Sequence, residues 1–170
     1  ITGHNDTKEY TGSAQNVSGY DVAISNSLYK ESDFDFNGSA VATGTDVGTY
    51  KMGLVTSQFK NTNANFTNIK FIVNDGSLEI TPVKVTVTIT GNKDSLTYNG
   101  EEQSVTGYEV EISNPSYKEA DVTFTGEAAI AKGINVGTYP MGLAEGQFTN
   151  NNANYDVTFV VNDGELEITK

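Results

Sequence analysis

A mainly β protein, built from two tandem homologous small domains of β-sandwich or β-grasp-like type arranged end to end, is predicted by three features of the sequence. Apolar residues alternate with period two through successive segments, the pattern of strands with one buried face. Turn formers are abundant, with 17 glycines, while Trp is absent and the aromatic residues are all Tyr or Phe. The same residues also recur at a spacing of 88, which makes the chain two copies of one module.

The repeat can be followed from the first residue. Ile1-Thr2-Gly3 matches Ile89-Thr90-Gly91, and Tyr10-Thr11-Gly12 matches Tyr98-Asn99-Gly100. Gly19-Tyr20 pairs with Gly107-Tyr108, Ile24 with Ile112, Tyr29-Lys30-Glu31 with Tyr117-Lys118-Glu119, and Phe36 with Phe124. One extra residue enters near Lys132, so Val47-Gly48-Thr49-Tyr50 aligns with Val136-Gly137-Thr138-Tyr139. Asn63-Ala64-Asn65-Phe66 then aligns with Asn152-Ala153-Asn154-Tyr155, and the spacing of 88 returns at Phe71 and Phe159. Loops absorb length changes of this kind. The domains are read as residues 1–82 and 83–170.

Each element follows from the alternation. Val83, Val85, Val87 and Ile89 are β-branched while Lys84, Thr86 and Thr88 lie between them, a half-buried strand. Tyr20, Val22 and Ile24 face inward, as do Tyr108, Val110 and Ile112, with Glu109 and Glu111 toward water. Tyr50, Met52 and Leu54 share a face with the matching Tyr139, Met141 and Leu143. Pro140 cannot donate a ladder hydrogen bond, so that run is expected at a sheet edge. Phe159-Val160-Val161 is followed by Asn162-Asp163-Gly164, a hairpin signal, and then by inward Leu166 and Ile168. No segment has helical periodicity, although Asn114 to Asp121 and Leu143 to Asn152 each have room for one short turn of helix. The predicted core contains Tyr20/Tyr108, Ile24/Ile112, Phe36/Phe124, Phe71/Phe159 and Ile80/Ile168.

Thr81-Pro82-Val83 joins the copies. Proline fixes its own φ and holds Thr81 extended, so a semi-rigid junction and an elongated monomer are expected. Because Ile1 aligns with Ile89, the first strand of the first module is expected to be truncated, both ends of the chain being cut from a longer array. That module should then be the weaker, with an unpaired edge if the strand is internal to its sheet.

Composition narrows the partners. Lysine supplies all ten basic residues against 22 acidic ones, a net charge of −12. Phosphate recognition needs clustered cations, so nucleic acid and anionic membrane surfaces are poor partners. No stretch approaches the ~20 apolar residues of a membrane-spanning helix, so direct membrane insertion is not expected. Cysteine is absent, which excludes disulfides, thiolate metal sites and a thiol nucleophile.

The succession Tyr-x-Gly, Val-Gly-Thr-Tyr and Asn-Phe or Asn-Tyr, closing with Asn-Asp-Gly-x-Leu-Glu-Ile-Thr, spans nearly the whole of each copy. It resembles the MBG domain repeats of large bacterial surface proteins, which are related to other adhesin modules with Ig-like or β-grasp folds. The resemblance implies an extracellular location on the bacterial cell surface, on a cell-wall-anchored protein. Its motifs are mostly turn glycines and core aromatics, so it names no ligand.

Candidate chemistry is sparse. His4 is the only histidine and position 92 is Asn, so neither a His triad nor a His metal site can belong to both modules. Carboxylates shared by the copies are Glu31/Glu119, Asp33/Asp121, Asp75/Asp163 and Glu79/Glu167, too few and too scattered for a glycosidase pair. The chain is read as a non-enzyme with no cofactor and no metal. The segments Asn61 to Asn65 and Asn150 to Asn154 alternate oxygen ligands as calcium loops do, but they lack the glycine and the distal glutamate and are read as plain loops. Candidate ligand contacts are Tyr29, Lys30 and Glu31 with Tyr117, Lys118 and Glu119. Against them stands packing of the tyrosine with a solvated lysine. Lys30 or Lys118 is also the candidate for an internal isopeptide bond. The expected function is a structural spacer or stalk whose partners are the neighbouring repeats. The alternative is a binding module with avidity for a host glycan, mucin-like, or a host surface protein.

Overall fold

Alternating side chains and frequent glycines produce short strands throughout. The computed structural model describes residues Ile1–Lys170 and divides into two compact units, Ile1–Pro82 and Val83–Lys170. The first holds β1 (Thr2–Gly3), β2 (Asn5–Glu9), β3 (Gln15–Ser18), β4 (Tyr20–Asp21), β5 (Phe34–Phe36), β6 (Val41–Gly44), β7 (Gly48–Lys51), β8 (Phe59–Asn61) and β9 (Ser77–Thr81). The second holds β10 (Val83–Gly91), β11 (Lys93–Thr97), β12 (Gln103–Thr106), β13 (Tyr108–Ile112), β14 (Val122–Phe124), β15 (Ile130–Gly133), β16 (Gly137–Pro140), β17 (Phe148–Asn150), β18 (Tyr155–Asn162) and β19 (Glu165–Thr169). There is no α-helix. The two stretches with room for a helical turn each carry one 3-10 turn, Glu119–Asp121 and Glu145–Gln147, and the first unit repeats them at Glu31–Asp33 and Thr56–Gln58.

The units are mainly β, tandem and open-sheeted. In the second, β10 lies between β13, antiparallel, and β18, parallel, while β19 lies between β11, parallel, and β16, antiparallel. Two-stranded antiparallel pairs β12–β15 and β14–β17 complete it. The first unit repeats the β2–β9–β7 sheet and the pairs β3–β6 and β5–β8. Pro140 lies on β16, which is an outer strand, as its missing N–H requires.

Asn162-Asp163-Gly164 is not a hairpin turn. Strand β18 does not pair with β19; both run parallel to the β10 and β11 path in one unbroken register, Thr90 opposite Asn162 and Lys93 opposite Glu165. A two-residue hairpin of the Asp-Gly kind needs positive φ, and neither Asp163 nor Gly164 has it. The glycine serves close approach instead. A Cβ on Gly91 would lie 2.3 Å from the Gly164 nitrogen, and one on Gly164 would lie 2.5 Å from the Asn92 carbonyl oxygen. Two chains therefore pass together from one sheet to the next at a point where only glycine fits. Gly3 and Gly76 repeat the contact in the first unit, also at 2.3 Å.

The core differs in part from expectation. Ile80 and Ile168 are buried as predicted, beside Leu78 and Leu166, both fully enclosed. Tyr20, Tyr108, Phe36, Phe124, Phe71, Phe159 and Ile112 are only half-buried, and Ile24 is exposed. Short, open sheets cover one side of each ring and leave the other near solvent. The deepest phenylalanines are Phe59 and Phe148, 5% and 4% exposed. Phe59 stacks on Phe36 at 4.8 Å and meets Tyr20 edge-on at 5.5 Å, and Phe148 repeats both contacts with Phe124 and Tyr108 at 5.1 and 5.4 Å. Replacing half-buried Phe159 by Ala should therefore cost less than the ~3–5 kcal/mol of an enclosed Phe.

Candidate functional site

The Tyr-Lys-Glu clusters sit where a loop enters a 3-10 turn. Tyr29 and Tyr117 are buried, 5% and 1% exposed, so each ring is packed into its module. Each phenol oxygen lies between two acceptors: Asp33 O and Asn61 Oδ1, both at 3.0 Å, for Tyr29, and Asp121 O and Asn150 Oδ1 at 3.1 and 2.9 Å for Tyr117. Burial pushes both phenols above the ordinary tyrosine range, and the neighbouring Asp33 and Asp121 carboxylates add to it.

The asparagine segments complete the same network. Asn61 Nδ2 donates to the Asn63 and Phe66 carbonyls at 3.1 and 2.6 Å, and its Oδ1 accepts the Asn63 N–H. Asn63 Nδ2 donates to Asp33 Oδ1 at 2.9 Å, while its Oδ1 accepts the Asn65 N–H. Asn150, Asn152 and Asp121 make the matching bonds in the second unit. The oxygens that a calcium ion would need are thus turned toward N–H donors within the loop. No group of three or more His, Cys, Asp or Glu residues is placed to hold a metal ion.

Lys30 and Lys118 are exposed, and their ammonium groups donate to the carbonyls of Ser27 and Pro115. An isopeptide bond requires a buried lysine beside an Asn or Asp side chain, and neither lysine has that setting. Glu31 and Glu119 stand exposed at the start of their 3-10 turns. They are the members of the clusters with carboxylates facing solvent.

A second shared polar joint lies at the sheet crossing. Gly53 and Gly142 take positive φ, 75° and 79°, which turns their N–H and that of the next residue toward one carboxylate. Asp75 accepts from Gly53 and Leu54 at 3.1 and 2.9 Å, and Asp163 accepts from Gly142 and Leu143 at 3.0 and 2.8 Å. His4 and its counterpart Asn92 also do equivalent work. His4 Nδ1 bonds the Ser18 carbonyl at 2.9 Å, and Asn92 Nδ2 donates to the Thr106 carbonyl at 2.8 Å. His4 Nε2 adds a contact with Asp21 at 3.2 Å, which with the Ser18 bond raises the imidazole above its usual value.

Among the concave features, a groove of about 430 Å³ in the first unit is lined by Val22, Ile24, Tyr29, Phe34, Ile69 and Phe71 among others. Sequence reading anticipated an unpaired edge in this unit. It missed the joining of Tyr29, Asp33 and Asn61, and of Tyr117, Asp121 and Asn150; their shared recurrence in both copies was the available signal.

Compared with protein-family models, the chain matches the MBG domain twice, over residues 1–82 and 84–170. No curated protein and no solved structure matches it.

Proposed function

The chain belongs to the MBG domain family as a tandem pair of repeat modules, and from that premise we propose that it is a non-catalytic, semi-rigid spacer in the stalk of a bacterial cell-surface adhesin, carried extracellularly on an anchored protein. One observation carries this reading. Three polar pairs that the copies share, Tyr29/Tyr117, Asn61/Asn150 and Asp75/Asp163, make internal hydrogen bonds that hold loops and strands in place. Among the residues that differ, several lie at the surface, as with Ala23 against Glu111 and Lys51 against Pro140. A spacer needs its interior kept and leaves its surface free to vary. Stiffness is supported by the sequence of the junction, Thr81-Pro82-Val83, where proline fixes its own φ and restrains Thr81. The acidic surface, at net −12, makes nucleic acid and anionic membranes unsuitable partners.

Small-angle scattering tests the reading. A stiff monomeric spacer has a radius of gyration well above the about 15–16 Å of a compact 170-residue protein. A value near that figure contradicts it.

A second reading rests on Glu31 and Glu119, which occupy the same exposed place in both copies and so could give avidity for a host glycan or surface protein. Saturable binding on a glycan array or to mucin, lost in the E31Q/E119Q variant, would favour that reading over the spacer.

A further inference from the structure

The groove in the first unit has a counterpart in the second, and there it is filled. Residues Val83 to Thr88 of β10 run through it, pairing on one side with the end of β13, Val87 opposite Ile112 and Thr88 opposite Glu111, and on the other with β18, Val83 opposite Tyr155 through Thr88 opposite Val160. Val85 and Val87 are buried by this placement.

In the first unit, the residues flanking the same space are Val22, Ala23 and Ile24 on one side and Ile69, Lys70 and Phe71 on the other. No backbone hydrogen bond reaches Val22 to Ile24 or Thr67 to Phe71, so two strand edges face each other unpaired. Between them the floor is apolar, made of Phe34, Phe71, Ile69 and Val22, and Ile24 and Ile72 are left 37% and 65% exposed. Isolated edges and apolar side chains of this kind are what an added strand covers.

Ile1 marks how such a strand would enter. Its ammonium group donates to the Ile72 carbonyl at 2.9 Å and its own carbonyl accepts the Asn74 N–H at 2.9 Å, the parallel placement that Ile89 has beside Val161. The chain at Ile1 already points along the groove.

We propose that this groove is a strand-acceptor site whose occupant is an extended segment of the Val83–Thr88 pattern, joined in the same polypeptide directly ahead of Ile1. β-branched residues at alternate positions would fill the floor and Lys or Thr would face out. The segment pairs antiparallel with Ala23 and Ile24 and parallel with Ile69 to Ile72, as Val87 and Thr88 pair with Ile112 and Glu111 and with Phe159 and Val160. One residue more separates Phe66 from Phe71 than separates Tyr155 from Phe159, so the pairing on that side carries a bulge at Thr67 or Asn68. In a tandem array each module would then be completed by the segment that leaves the last strand of the module before it, as Val83 leaves β9 across Pro82. The inference is independent of the spacer reading, since a binding module would use the same strand.

The test compares amide hydrogen exchange in three extended forms of the full chain, each with six residues added before Ile1. The additions are Val-Lys-Val-Thr-Val-Thr, the register-shifted Lys-Val-Thr-Val-Thr-Val, and Gly-Ser-Gly-Ser-Gly-Ser. The first should slow exchange at Ala23 and Ser25 and at Lys70 and Ile72, whose counterparts in the second unit turn their N–H groups toward β10, by at least about tenfold over the unextended chain, whereas the other two should not, because a one-residue slip turns the apolar set to solvent. Equal protection from all three, or none from the first, would overturn the proposal. The unextended chain is also followed over a hundredfold concentration range. Exchange at these residues that slows with concentration would identify a second copy as the occupant and overturn the assignment in cis; concentration independence supports it.

Discussion

In the second unit β10 lies between two partners and buries Val85, Val87 and Ile89; in the first, only Ile1, Thr2 and Gly3 stand in the equivalent place, and residues 66–73 form no strand beside them. Much of the rest recurs. Both units keep the buried Met-Leu pair of Met52, Leu54 and Met141, Leu143, the enclosed Leu-Ile pair on β9 and β19, the Tyr-Asn network and the crossing glycines. Where the second unit has Val122, the first has Phe34, which is buried and reaches Phe71 at 5.4 Å. A larger side chain thus covers part of the space beside the missing strand. The comparison teaches that the aromatic cluster and the two polar joints organise the module, while the long strand closes it.

The largest expected effect comes from giving the second unit the first unit's deficiency. Each enclosed valine or isoleucine contributes about 1.5–3 kcal/mol, so V85S/V87S/I89S should lose about 4.5–9 kcal/mol. In calorimetry the transition of the second unit should fall to or below that of the first. An unchanged transition would show that β10 adds little.

Next come the two enclosed leucines, which should behave alike. L78A and L166A are each expected to cost about 2–5 kcal/mol, because both side chains are fully buried on the central strand of matching sheets. Chemical denaturation that finds one severe and the other silent would mean that the cores are not equivalent.

The polar network should rank below the leucines. N61A and N150A each remove an acceptor from a buried phenol and donors from two carbonyls, at a cost of about 1–3 kcal/mol. Denaturant midpoints decide it, and a shift within error in either unit would reduce that network to a surface turn.

How much of this was legible in the sequence depends on what each residue does locally. Period-two alternation located β10, β13, β16 and β19, and Pro140 marked an edge strand, because these are properties of one strand. The Asn-Asp-Gly segment misled, since Asp163 acts on Gly142 and Leu143 some 20 residues away in sequence rather than on its own turn. Beside Lys and Glu, Tyr29 and Tyr117 are candidate contacts in the sequence, although packing of the ring is the reading it favours. Their burial depends on Asn61 and Asn150, which only the fold brings near. Ile24 had the right alternation and still lies exposed, because the strand that covers Ile112 is not there to cover it.

The smallest effect concerns pH. The folded-state value of His4 is raised above the ordinary imidazole value of 6.5 by Asp21 and the Ser18 carbonyl. A raised value means that the stabilisation is fully present below the unfolded value and is lost as pH rises through the folded one. His4 is well exposed, so solvent screens the effect. Titration by NMR should give a midpoint above the ordinary imidazole value in the chain and a lower one in D21N. H4N, which copies Asn92, should remove the pH dependence without lowering stability at neutral pH. A midpoint unchanged by D21N would contradict the assignment.

The central claim is that the two modules share one architecture and differ at one strand position. Native-state amide exchange on the chain of 170 residues tests it most directly. The amides of β18 that bond to β10 should exchange only with global opening of the second unit, whereas those of Ile69, Lys70 and Phe71 should exchange near the rate of an unstructured peptide. Equal protection of the two segments would contradict the account.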